Sequence, residues 1–220
     1  MQKLLTDRAY RYEHQEFIAE GPRILEYAKN IKEIYYTEDN PLPKVDGYKI
    51  TPAILKKISD TETPQGIVAL CSMDLRSEIP DKGSFIYLDG IQDPGNAGTI
   101  VRTAAAFGLD GVIFGKGSVD PYSPKTVRGS MGAIFQIGIF HSGPEKLNGR
   151  NIIAADLEGK PLSNLDKQTD FILVIGAESK GVSPGIKKIA DKIVTIPISN
   201  KTESLNAAVS AGILLYILKK

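Results

Sequence analysis

Two side chains six positions apart open the question of chemistry: Asn96, in the run Asp93-Pro94-Gly95-Asn96, and Arg102 on the helical segment that follows. Asp, Pro, Gly and Asn tolerate turns and left-handed backbone, so the run reads as a loop. A helical side chain leans toward its helix N-terminus, so the Arg102 guanidinium is expected to reach back over the Asn96 loop. A long cation aimed at a loop with Asn and open backbone N–H groups suits an anion, phosphate above all. The helix alone favours the plainer alternative, an arginine exposed to solvent on a surface helix. Two other loops, residues 176–181 and 197–206, also stand at strand ends. Further candidates are basic. Lys3, Arg8 and Arg11 share a polar segment with Tyr10 and Tyr12, a mixture that can hold RNA by phosphate contact and base stacking, or simply be a solvated helix. Arg23, Lys125 and Arg128 sit in the first turns of two other helices. Arg8, Arg11, Arg23, Lys125 and Arg128 are therefore the candidate RNA contacts.

Several sites are excluded by residue type. No G-x-G-x-x-G follows a strand, so the dinucleotide fingerprint of an oxidoreductase is missing. Gly176 and Gly181 have phosphate-loop spacing, but Val182 stands where the Lys belongs. With only His14, His141 and Cys71, no metal site is expected. No G-x-S-x-G run supports a serine hydrolase.

The elements that position these loops are legible. Residues 85–88 form an apolar strand, residues 97–107 a helix stopped by Gly108, and residues 111–114 a second strand, which together make a βαβ unit with parallel strands. Ligands of such sheets sit beyond the strand carboxyl ends, where the Asn96 loop lies. Residues 171–175 are a continuous apolar run, hence a central strand, and 192–198 a last strand interrupted by Pro197. Residues 134–140 and 151–155 are two more strands, the second followed by a turn at Asp156 to Gly159. Residues 204–218 form a helix apolar around most of its circumference, to be buried in the core or a subunit interface. In front of this lies a smaller α/β module: a helix over 3–16, strands at 17–19, 31–37 and 67–71, helices from Pro22 and from Thr51-Pro52, and a loop over 39–46. The polar, Pro-containing segment 72–83 is the expected linker, dividing residues 1–75 from 82–220.

The whole chain sets outer bounds. Its 220 residues suffice for one or two domains, and 42% hydrophobic with 24% charged residues is ordinary for a globular protein. A net charge of +1 leaves any nucleic-acid surface to a local patch. The single cysteine, Cys71, allows no internal disulfide and reads as a small core residue, which fits a reducing cytoplasm. The start turns polar too early for a secretory signal and the segment 205–218 is too short to span a bilayer, so a cytoplasmic protein without membrane contact is expected.

The segments LDGIQDPGNAGTIVRTAAAFG, VIGAESKGVSP and VTIPISNKTESLNAAVSAGILLY resemble, in order, the three motifs of the SpoU–TrmH family of RNA ribose 2′-O-methyltransferases (SPOUT superfamily). The front stretches FIAEGPRILEYA and TPQGIVAL resemble that family's L30-like substrate-binding domain. The resemblance implies an α/β parallel sheet whose C-terminal segment is threaded into a trefoil knot, which general folding rules would not anticipate. It implies a homodimer with an active site assembled from both subunits, and S-adenosyl-L-methionine as cofactor. Gly176, Ile196, Pro197, Ile198 and Leu205 match cofactor-binding positions; Asn96, Arg102, Glu178, Ser204 and Asn206 match catalytic ones. Arg102 is assigned to RNA phosphate and the developing alkoxide, an electrostatic role before that of proton acceptor, since a guanidinium keeps its proton. Glu178 is expected to orient Arg102 or Asn96. Ser204 and Asn206 are expected to fix the site and the cofactor loop. Asn200 stands where many members carry Gly, and tolerates the same backbone. The implied substrate is a structured RNA, ribosomal rather than transfer RNA; the alternative is a non-catalytic RNA binder of the same fold.

Overall fold

Among the described residues a short polar residue followed by proline starts a helix in four places, and in three of them its side chain caps the helix. Asp93 accepts from Asn96 N at 2.6 Å, Thr51 from Ile54 N at 3.4 Å and Ser123 from Thr126 N at 3.4 Å. Proline at the first helical position has no N–H to leave unsatisfied, and each such cap is worth about 1 kcal/mol. A computed structural model describes residues 1–39, 46–162, 166–199 and 201–219 of the chain. Its helices are α1 (Gln2–Thr6), α2 (Arg8–His14), α3 (Pro22–Leu25), α4 (Pro52–Lys57), α5 (Pro94–Ala106), α6 (Pro124–Gly129), α7 (Pro184–Ile189) and α8 (Ala207–Lys219).

Among the described residues the strands form two sheets. The smaller holds β1 (Glu16–Glu20), β2 (Ile31–Tyr36), β3 (Tyr48–Lys49) and β4 (Ile67–Ser72) in the order β1-β4-β2-β3. The larger holds β5 (Leu75–Arg76), β6 (Ser84–Asp89), β7 (Gly111–Phe114), β8 (Gly138–His141), β9 (Ile152–Pro161), β10 (Phe171–Gly176) and β11 (Lys192–Thr195) in the order β11-β9-β10-β6-β7-β8-β5, its paired strands all parallel. The parallel β6–α5–β7 unit and the inner place of β10 are as the apolar runs predict. One buried cluster runs from Phe17, Ala19 and Ile67 of the smaller sheet to Ile100, Ala104 and Leu214 of the larger unit's helices, so the two sheets share a core.

The differences from the sequence reading have local causes. The helix expected over 3–16 is two, because Asp7 accepts from Tyr10 N and starts α2 afresh. The strand expected over 134–140 is a 3-10 turn at Ala133–Phe135 and then β8. Within the expected linker, Leu75 and Arg76 pair with Ile139 and Phe140 and so belong to the larger sheet. β9 does not turn at Asp156: its pairing with β11 jumps from Ala154 to Lys160, and the residues between bow out as a bulge. α8 begins at Ala207, not Ser204. Asn200 and most of the loop expected over 39–46 lie outside the described residues.

Candidate active site

Asp89 ends β6 and Gly176 ends β10, directly opposite one another in the parallel register. The chain leaves Asp89 for α5 and Gly176 for α7, and side chains tie the two exits together. Asp89 Oδ2 accepts from Ser183 N at 2.6 Å. Asn96 Nδ2 donates to Glu178 Oε1 at 2.8 Å. The third loop joins through Asn206, whose Nδ2 donates to Asn96 Oδ1 at 2.8 Å. The Asn206 Oδ1 accepts from Ala208 N at 2.9 Å and Val209 N at 3.2 Å, capping α8. Asn96 is thus held from both sides, with both ends of its amide used.

The 176–181 loop is tight. Gly181 N donates to Ala177 O at 2.8 Å, and Gly181 takes φ +64°, a conformation that L side chains avoid. A Cβ on Gly176 would lie 2.2 Å from the Gly181 carbonyl carbon, so the neighbouring backbone leaves room only for glycine.

Beside this loop lies a cavity of about 470 Å³. Its apolar part comes from Ile175, Val194, Ile196, Leu205 and Ala207, and its polar part from residues 176–181, the β9 bulge and Glu203. Asp156 on the bulge pairs with Lys187 of α7 at 2.8 Å and accepts from Glu158 N at 3.2 Å. Burial is the largest single influence and pushes the Asp156 carboxyl up, but the bond and charge of the Lys187 ammonium together with the backbone N–H groups of Glu158 and Val182 outweigh it and leave its pKa below the ordinary carboxylate value. The Lys187 ammonium, bonded to that carboxylate, is raised in turn.

The structure brings Asn96, Glu178 and Asn206 into one bonded network, and places Gly176, Ile196, Ile198, Leu205 and Ser204 on the cavity wall. Pro197 is not among the lining residues. Asn96 lies in the first turn of α5 rather than in a loop, because the Asp93-Pro94 cap starts the helix earlier than composition suggests. For the expected reach of Arg102 over the Asn96 loop, no bond between the two is present among the described residues. Arg102 is exposed and makes no hydrogen bond or ion pair among the described residues. At about 100° per residue, six residues carry it roughly two-thirds of a turn past Asn96.

Of the candidate RNA contacts, Arg23 and Lys125 are exposed. Arg8 lies over the Tyr12 ring at 5.2 Å and 3.4 Å from His141 Nε2. Arg128 is half-exposed and paired with Asp60 at 2.9 Å. Arg11 must be withdrawn: it is buried, with Nε 2.8 Å and Nη2 2.7 Å from Asp120 Oδ2, and cannot meet a polyanion. Sequence reasoning passed over Asp89, Asp120 and Asp156. For Asp89 the signal was available, a carboxylate closing a fully buried strand; for the other two only the fold supplies the partner.

Residues 83–216 match the SpoU rRNA Methylase family, and residues 2–69 match an MRM3-like substrate binding domain. The chain belongs to the SpoU rRNA methylase family. The 23S rRNA (guanosine(2553)-2′-O)-methyltransferase RlmP of Bacillus subtilis is 31% identical, over 99% of this chain and 94% of that protein. The SpoU methyltransferase AviRb of Streptomyces viridochromogenes, solved with its cofactor AdoMet, superposes with a TM-score of 0.86 at 26% identity, over 99% of this chain and 94% of that one. An AdoMet-bound rRNA methyltransferase from Sinorhizobium meliloti gives 0.85 at 28% identity, over 99% and 91%. The chain is an RNA methyltransferase and S-adenosylmethionine is its cofactor. The cavity suits it: the volume falls in the range of about 300–1,000 Å³ usual for small-molecule sites, with an apolar part for adenine and backbone groups at its edge. Among the described residues no cluster of His, Cys, Asp or Glu could hold a metal ion, and no helix is long and apolar enough to cross a membrane.

Proposed function

We propose that the protein transfers a methyl group to a ribose 2′-hydroxyl of a structured RNA, ribosomal rather than transfer RNA. The observation that carries this is the Asn96 bridge. One side chain joins the loops after β6 and β10 to the cap of α8, at the edge of a cavity suited to the cofactor. RlmP, named for 2′-O-methylation of 23S rRNA, matches over nearly the whole chain and supports the ribose and the ribosomal assignment.

S-adenosylmethionine supplies a methyl carbon activated by its sulfonium. The chain's residues then have to hold the 2′-oxygen in line with it, and alignment is the larger share of the help. The new bond joins the 2′-oxygen to the methyl carbon as the sulfur–carbon bond breaks, and the hydroxyl proton passes to solvent. Gly176, Ile196, Ile198 and Leu205 hold the cofactor, with Pro197 stiffening the backbone between them. Asn96, Glu178, Ser204 and Asn206 keep the three loops in register. Arg102 meets RNA phosphate and the developing alkoxide.

Among the described residues Arg102 has no hydrogen-bond or ion-pair partner, and this supports a homodimer in which it completes the site of the second subunit. Val209 and Ile213, 50% and 36% exposed on α8, offer an apolar face for that contact. The C-terminal segment is read as threaded into a trefoil knot; its supporting observation is that Val194, Ile196, Ile198, Leu205 and Ala207 line one cavity with residues 175–181. Residues 1–75 serve as the RNA-binding unit, through Arg8, Arg23 and their neighbours, with Lys125 and Arg128 of residues 82–220 beside them.

The test is methyl transfer from tritiated S-adenosylmethionine to RNA from a strain lacking the gene, followed by mapping of alkali-resistant linkages in ribosomal and transfer RNA. One new 2′-O-methyl nucleotide in ribosomal RNA is expected. Label on a base, or on transfer RNA alone, would overturn the respective part, and absence of calorimetric heat with S-adenosylmethionine would favour the non-catalytic binder.

A further inference from the structure

Among the described residues the two buried charged side chains, Arg11 and Asp120, meet each other, joining the front unit to the larger one. Arg11, on α2 of the front unit, is 4% exposed, and Asp120, in the loop after β7, is 6% exposed. Each guanidinium nitrogen has an acceptor: Nε and Nη2 both donate to Asp120 Oδ2, and Nη1 donates to Leu4 O at 2.6 Å. The second carboxylate oxygen accepts from Tyr12 Oη at 3.1 Å and from Tyr122 N at 3.0 Å. Burying such a pair is a poor way to gain stability, since an apolar pair of similar volume does as well or better. What a forked guanidinium on one carboxylate gives instead is direction, because the bonds form over a narrow range of angles.

The loop that holds Asp120 is bonded to the start of the first catalytic segment. Ser118 Oγ donates to Leu88 O at 2.8 Å and accepts from Gly90 N at 3.1 Å, and Val119 N donates to Ile91 O at 2.8 Å. Two residues beyond Ile91 comes Asp93, the cap of the helix that carries Asn96. A short bonded chain thus runs from the front unit through Arg11 and Asp120 to the segment that positions Asn96. Contacts around it are compatible with that anchor: Tyr122 Oη accepts from Asp74 N at 3.2 Å, the Phe17 and Tyr122 rings lie 4.7 Å apart, and Arg128 reaches Asp60.

We propose that Arg11 is a positioning residue for methyl transfer: with Asp120 it sets the angle of the front sheet against the Asn96 segment, so that RNA held by the front unit meets the transfer site at a fixed reach. This rests on the reading of the front unit as the RNA holder. Arg11 touches neither RNA nor cofactor. Its loss acts on the turnover of bound RNA, because a displacement of about 1 Å at the reacting atoms costs up to 100-fold in rate.

The experiment compares wild type, Arg11→Met and the doubly substituted R11Q/D120N, whose paired amides retain hydrogen bonding without buried charge. The double variant keeps the test alive where Arg11→Met fails to fold. The RNA is total ribosomal RNA from the gene-deletion strain. Expected for the foldable variants are S-adenosylmethionine affinity within twofold of wild type, RNA Kd within threefold, and kcat reduced tenfold or more. Spin labels on Glu62→Cys and Lys146→Cys, one in each unit, are expected to give one narrow distance distribution with Arg11 present and a broader one without it. An unchanged kcat, an effect confined to RNA Kd, or an unchanged distance distribution would each overturn the proposal. If the wild type methylates no RNA, the proposed function has failed, while the spin-label distances still decide whether Arg11 fixes the two units.

Discussion

Asn206 donates its side-chain amide to Asn96 across 110 residues of sequence, and its carbonyl oxygen caps α8 in the same stroke. The two jobs separate by substitution. Aspartate caps a helix as well as asparagine does, but has no N–H to give Asn96. Asn206→Asp is therefore expected to melt near the wild-type temperature, while Asn206→Ala loses about 1 kcal/mol, some 2–4 °C for a chain of this length. Both are expected to lose methyl transfer by about 100-fold, the scale of removing one aligned group. Calorimetry and single-turnover transfer, run side by side, give both quantities; full activity in Asn206→Asp would show that the bond to Asn96 is idle.

Arg102 stands apart from that network, and the two-subunit reading predicts complementation. Arg102→Ala is expected to abolish transfer yet bind S-adenosylmethionine nearly as tightly as wild type. If the arginine serves the second subunit's cavity, mixed dimers of Arg102→Ala with Asn206→Asp recover one intact site per heterodimer, about a quarter of all sites in a random mixture. Recovery of activity on co-refolding the two inactive variants checks this. No recovery, with mixed dimers confirmed by mass, would place Arg102 in its own chain's site. In the same series, Ile213→Lys on the apolar face of α8 is expected to sediment as a monomer.

What was legible in the sequence follows from the range of the interaction concerned. The β6–α5–β7 unit announces itself because strand, cap, helix and Gly108 stop are all local; Gly108 does take a left-handed φ of +67°. The three site loops were legible for the same reason. Their meeting was not, since the bond from Asn206 to Asn96 depends on the path of the chain between them. Arg102 follows Asn96 by six residues, about two-thirds of a turn of α5, and no bond joins it to the Asn96 network among the described residues. Arg11 was read from its type as a surface cation, and nothing nearby in sequence names Asp120 as its partner. Likewise the run Asp156 to Gly159 looked like a turn because a bulge inside a strand uses the same residues; only the pairing of Lys160 with Val194 reveals that the strand resumes.

The Asp156–Lys187 pair gives a pH prediction with a definite sign. A carboxylate whose pKa is depressed in the folded state stabilises above its unfolded value, about 3.9, and loses that contribution as pH falls through the folded value. Wild type should therefore exceed Asp156→Asn in unfolding free energy by a constant margin between pH 6 and 8. The margin should shrink below about pH 4, as the wild-type carboxyl takes up its proton. Lys187 is about a third exposed, so solvent screening keeps the margin small. Urea titrations of the two proteins across that range measure it directly; a margin that grew toward low pH would mean that burial, not Lys187, governs the carboxyl.

Two glycines nine residues apart should respond oppositely to the same added methyl group. At Gly176 a Cβ would lie 2.2 Å from the Gly181 carbonyl carbon and 2.3 Å from Val182 N, both backbone atoms of the turn that forms the cavity wall. Neither can give way without opening the Ala177–Gly181 turn, so Gly176→Ala is expected to cost about 1–3 kcal/mol. It should also weaken S-adenosylmethionine binding at least tenfold, since the wall itself has to move. At Gly185, in the first turn of α7, an added Cβ meets nothing within 4 Å and the backbone is already helical. Gly185→Ala removes unfolded-chain freedom at no steric cost and is expected to stabilise by about 0.4–1 kcal/mol, with cofactor affinity unchanged. Isothermal titration together with thermal unfolding of the two variants separates a loop that only glycine can close from one that merely contains it; equal responses at both positions would mean that the 176–181 turn is free to adjust, and that the cavity wall is not set by the close approach at Gly176.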